Sequence, residues 1–139
     1  MTTTTVNANS TNWSYISSSS SVYSTARNGS SLFSNIGASV VVAGQQKSGS
    51  NYFCYLTYLE FDTSAIPVGA TINSVTLKLA VTTDNSTQDL TLQARSFDFG
   101  TAVDVGDWRG SSFATDTLLA TKSTAGISTG SYVSFAENG

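Results

Sequence analysis

The sequence predicts an all-β fold: an antiparallel two-sheet β-sandwich of about eight or nine short strands. Three observations carry this. Ser and Thr supply roughly a third of the chain, while charged residues make up only 11%, less than half the usual ~25%. Hydroxyl side chains compete with a helical backbone for its hydrogen bonds, and β-branched Thr sits well on a pleated surface. Several segments alternate apolar and polar residues with a period of two, and Gly, Pro, Asn and Asp punctuate them. No stretch shows the 3.6-residue period of an amphipathic helix.

Residues 1–12 read as an extended N-terminal arm or edge strand, and 13–139 as one sandwich domain. Trp13–Ile16 is a short strand, and the serine run Ser17–Ser21 is a loop or a solvated edge. Arg27-Asn28-Gly29 is a turn in which Gly supplies positive φ. Ala38–Ala43, with Val40-Val41-Val42 at its centre, reads as a buried strand, and Gly44–Ser50 as a polar loop. Tyr52–Phe61 is apolar on both faces and is expected at the centre of a sheet, with a cover on each side. Pro67 and Gly69 turn the chain. Thr71–Thr82 then places Val75, Leu77, Leu79 and Val81 inward, and Gln88–Phe97 does the same with Leu90, Leu92 and Ala94. The two are expected to pair as a hairpin across Thr83–Thr87. Asp104–Arg109 forms one helical turn with Trp108 folded beneath it. Leu118–Thr121 and Ser131–Phe135 complete the strands.

Composition also narrows function. The six basic residues are scattered, so no patch tracks a phosphate backbone, and nucleic acid is not an expected partner. No apolar run approaches the ~18 residues of a membrane-spanning helix, so no membrane is expected either. With no histidine and one cysteine, Ser-His-Asp, Cys-His and zinc chemistry lack their residues. An enzyme is not expected, nor a cofactor. Glu60 and Asp62 lie two apart, but Asp62 reads as a turn cap before Ser64. Asp98, Asp104 and Asp107 lie on loops and carry the oxygens a calcium ion takes, although turn acids are the simpler reading. Met1–Asn7 has neither a basic nor an apolar leader character.

The segment Tyr58-Leu-Glu-Phe-Asp-Thr-Ser-Ala-Ile-Pro-Val-Gly-Ala-Thr-Ile-Asn-Ser-Val-Thr-Leu-Lys-Leu79 resembles the core of the DNRLRE-type modules. These are jelly-roll domains related to carbohydrate-binding modules, found in bacterial surface proteins and phage virions. Tyr23-Ser-Thr-Ala-Arg27-Asn-Gly29 is similar to a stretch that precedes this core in phage-type members. The resemblance covers roughly residues 20 to 135, and its motif identifies the module better than any function. The arginine common before the Phe-Asp of the motif is absent here, where the strand reads Tyr-Leu-Thr-Tyr-Leu. The family continues past the strand that Tyr132–Phe135 resembles, so the final strands are expected to be missing or supplied by another chain.

The resemblance implies a virion structural protein, a capsid decoration (cement) or appendage protein of a phage. It would act on the particle surface through contacts with other virion proteins or copies of itself. Thr3, Thr5, Val6, Tyr132 and Val133 are the expected assembly contacts. The alternative is a carbohydrate-binding module of a tail fibre or cell-surface protein, with Trp13, Tyr15 and Trp108 stacking on glycans.

Overall fold

The computed structural model describes residues 3–8, 13–110 and 112–136. It is all-β and antiparallel, with eight strands among the described residues. They form three small sheets, where two were expected. The chain divides into two compact units: residues 1–70 with 98–114, and residues 71–97 with 115–139.

The first unit is built on a four-stranded sheet in the order β2-β1-β4-β3. Its strands are β1 (Ser14–Ser20), β2 (Ser31–Ile36), β3 (Gly44–Ser48) and β4 (Asn51–Tyr58). β4 lies inside the sheet, as its two apolar faces require. The serine run is a correction: it belongs to β1, the other interior strand, and Ser18 is fully buried. Composition suggested a loop, but backbone pairing to both neighbours satisfies the serine amides and carbonyls. The small side chains also leave room for what lies above.

That cover is a five-residue helix, α1 (Tyr23–Arg27), which the sequence reading missed because one turn is too short to show a period. It packs on β1 and β4 with Ala26 fully buried. It ends where expected, at Gly29 (φ +89°), whose amide donates to the Ala26 carbonyl at 3.2 Å.

Two further corrections fall between β2 and β4. Val40–Val42 is not a strand: Val40 and Val42 are exposed. The neighbouring Gly44–Ser48 is β3, paired to β4 from Gly44↔Tyr55 to Ser48↔Asn51. Pairing at the edge of β4 requires only backbone groups in register, so polar Gln45-Gln46-Lys47 fills it while the valines turn the corner.

The second unit holds two two-stranded sheets. β5 (Thr76–Ala80) pairs with β8 (Tyr132–Ala136), and β6 (Thr91–Ser96) with β7 (Thr117–Ser123). The expected β5–β6 hairpin is therefore corrected. The alternation was read rightly for Leu77, Leu79, Val81, Leu92 and Ala94, which all pack on the core of Ala120, Val133 and Phe135. Two strands that present apolar faces to each other lie on opposite layers, where sequence adjacency had suggested neighbours in one layer. Val75 is the exception and is exposed. The β6–β7 pair is closed by Thr124, whose amide donates to the Leu90 carbonyl and whose hydroxyl accepts from the Leu90 amide, both at 2.9 Å.

Candidate binding face

The register of the four-stranded sheet sorts its side chains onto two faces, because residues directly opposite one another share a face. One face carries Ser14, Ile16 and Ser18 of β1 with Cys54, Leu56 and Tyr58 of β4. It is covered. Ser14, Ile16, Ser18, Cys54 and Tyr58 are all buried. Tyr23 of α1 meets Tyr52 edge-on at 5.7 Å and donates its hydroxyl to Gln45 at 2.5 Å. At the other end, Tyr58 packs edge-on against Phe99 and donates to the Asp107 carbonyl at 2.7 Å. A cleft of about 40 Å³ beside Ser14, Phe99 and Val103 has room for little more than solvent.

The opposite face is built from three cross-strand rows: Ser31–Ser19–Phe53–Gln46, Phe33–Ser17–Tyr55–Gly44, and Asn35–Tyr15–Thr57. None of these residues is buried, and Phe33 is 61% exposed. Four aromatic rings thus stand on one side of the sheet, interleaved with hydroxyls and carboxamides. Tyr15 and Tyr55 meet edge-on at 6.2 Å, while Phe53 and Tyr55 lie 6.5 Å apart with planes 15° apart. Asn35 Nδ2 donates to the Tyr15 hydroxyl at 3.2 Å, and Gln46 Nε2 donates to that of Tyr55 at 2.8 Å. Partial burial, and secondarily the Tyr15 ring system beside it, pushes the Tyr55 hydroxyl above the ordinary phenol range. Phe33 is exposed, and Tyr15, Phe53 and Tyr55 are half-buried.

Of the expected glycan-stacking residues, only Tyr15 lies on this face. Trp13 precedes β1, half-buried, and its Nε1 is buried without a hydrogen-bond partner among the described residues. Trp108 follows a 3₁₀ turn at Val105–Asp107. Its ring lies against Gly29, where a Cβ would fall 2.5 Å from Cδ1, and its Nε1 donates to the Arg27 carbonyl at 3.3 Å. It serves packing, as the expected folded-under turn implies. Phe33, Phe53, Asn35 and Gln46 were missed. The signal for Phe53 was present in the alternation of β4, but Gln46 had been placed in a loop, and β2 carries no pattern long enough to read.

Among the expected assembly residues, Thr3 and Thr5 are exposed and Val6 is half-buried. Ala8 makes an antiparallel bridge to Phe61, and the rest of the expected arm, at 1–2 and 9–12, lies outside the described residues. Tyr132 is 75% exposed, whereas Val133 is turned into the core of its unit. Asp98, Asp104 and Asp107 do not gather. Asp98 accepts from the Gly100 amide at 2.8 Å, and Asp104 and Asp107 form a reciprocal capping box. Among the described residues, no group of three or more His, Cys, Asp or Glu is placed to hold a metal ion. Asp62 accepts from the Ser64 amide at 2.9 Å, and this turn bond holds its carboxyl below the ordinary range. No helix among the described residues is long and apolar enough to cross a membrane. No family model matches the chain, and no curated protein or solved structure matches it.

Proposed function

We propose that the chain is a non-catalytic carbohydrate-binding module whose recognition surface is the outward face of the four-stranded sheet. The observation that carries this reading is the grouping of Tyr15, Phe33, Phe53 and Tyr55 with Asn35 and Gln46 on one uncharged face. Sugar rings present C–H groups on their faces and hydroxyls at their edges. Aromatic rings take the first, and carboxamides and hydroxyls take the second. The other half of such a site is rigidity, and backbone pairing across four strands provides it. A glycan array probed with the intact chain tests the reading. Binding is expected to fall at least tenfold in Phe33→Ser and in Tyr55→Ser, while Tyr132→Ser, in the other unit, binds as the parent does. An array with no bound glycan would overturn it.

The second reading is a virion structural protein, a capsid decoration or appendage component. Its support is the mostly exposed Thr3–Asn7 segment, in which Val6 is half-buried, next to the Ala8–Phe61 bridge, together with the exposed Tyr132. It predicts self-association or particle binding that is lost when residues 1–7 are removed, as read by sedimentation velocity.

A further inference from the structure

The outward face is not level. In its middle row Phe33 of β2 and Tyr55 of β4 flank Ser17 of β1, and in the next row Phe53 stands beside Ser19. β2 and β4 are both neighbours of β1, so the flanking backbones stand about 10 Å apart, twice the strand spacing. The two serines therefore floor a trough with Phe33 on one bank and Phe53 and Tyr55 on the other.

At one end the trough is dammed. Tyr15, the next outward residue on β1, packs edge-on against Tyr55 at 6.2 Å, and its hydroxyl accepts from Asn35 of β2 at 3.2 Å. It thus spans from one bank to the other. From Ser17 to Ser19 the floor runs roughly 7 Å, the extent of one or two sugar rings. Ser31 and Gln46 close the Ser19 row on its two sides. No residue of the three rows carries a charge at neutral pH. Lys47, the one cation on β3, lies over the Tyr52 ring at 5.2 Å on the covered side.

Resting on the carbohydrate reading above, we infer that this trough takes the terminal one or two residues of a neutral glycan. The ring of the end sugar lies between Phe33 and Tyr55, its hydroxyls meet Ser17 and Ser19, and Tyr15 stops the chain. Uronic-acid and sulfated polymers are excluded, since burying a carboxylate or sulfate against this face leaves it without a counter-charge or donor cluster.

The test uses the intact chain against cellohexaose, laminarihexaose, chitohexaose and mannohexaose as neutral probes. Oligogalacturonate, alginate and heparin are the charged ones. At least one neutral hexaose is expected to bind, with affinity unchanged between 50 and 500 mM salt, and its own disaccharide is expected to compete within tenfold on a molar basis. Ser17→Phe, which fills the trough on the outer face, is expected to abolish binding while circular dichroism and melting stay those of the parent. Ser17→Asn, a smaller change, is expected to weaken binding without abolishing it. Binding only to charged polymers, or a disaccharide that fails to compete while the hexaose binds, overturns the inference and leaves the carbohydrate reading standing. So does hexaose binding unaffected by Ser17→Phe. If no glycan binds at all, both fall. Self-association of the parent that Ser17→Phe abolishes overturns the inference in favour of a second copy seated on this face.

Discussion

The two faces of one strand are the most instructive contrast in the molecule. On β1, Ser14, Ile16 and Ser18 point to the side covered by α1 and are buried, while Tyr15 and its neighbours point outward and are not. The hydrophobic ranking of side chains would place the tyrosine inside and the serines outside. Clearance decides otherwise: α1 packed close over β1 leaves space for Ser18, while Tyr15 goes to the opposite face, where it is half-buried. Of the four outward rings, Phe33 stands mostly in water, while Tyr15, Phe53 and Tyr55 are half-buried.

The largest expected effect tests the covered side. Ile16→Ala removes the largest fully buried apolar side chain in the first unit and should cost about 2–5 kcal/mol in urea denaturation, by transfer and cavity terms together. Ser18→Leu is next. Forcing a branched side chain beneath α1 should cost about 1–3 kcal/mol, whereas Ser18→Ala, which removes a buried hydroxyl without a partner among the described residues, should be neutral or stabilising. A large loss in Ser18→Ala would mean that the hydroxyl has a role that clearance does not explain.

The alkaline limb of stability sharpens the same contrast. Burial pushes the Cys54 thiol above its ordinary value on the covered face, against the opposing pull of Arg27, and burial also raises Tyr55 on the outward face. For an acid whose folded pKa is raised, the folded state holds more protons than the unfolded one. Stability is then fully present below the ordinary thiol pKa and falls as pH rises through the thiol range and then the phenol range. A series of urea midpoints from pH 7 to 11 should decline, and Cys54→Ala should remove the earlier part of the decline. The smallest stability effect is expected at Phe33→Ala, within about 1 kcal/mol, because its ring is mostly in water and only cross-strand contacts are lost.

The sequence showed the all-β class, the interior position of β4 and the inward residues of β5 and β6, because period-two alternation and a run of apolar residues leave direct marks. It misled where local composition stood in for context. The run Ser17–Ser21 looked solvated, yet Ser17–Ser20 lies in an interior strand; Val40–Val42 looked like a buried strand, yet Val40 and Val42 are exposed; and β6 found its partner in β7 rather than across the nearer loop. Register and layer are properties of long-range pairing, which alternation does not encode. The outward face of the four-stranded sheet suffered most. Its residues come from four strands, two of them unread, and one-strand patterns give no hint that Phe33, Tyr15 and Tyr55 share a side.

The account rests on the outward rings being the surface that meets a ligand. Hydroxyl-radical footprinting of the intact chain, with and without a saturating array-selected glycan, measures this directly. Phe33, Phe53, Tyr55 and Tyr15 should become protected together while Trp108 and Tyr132 react as before. Unchanged reactivity at those four rings with glycan bound, or protection confined to Trp108 or Tyr132, would contradict it.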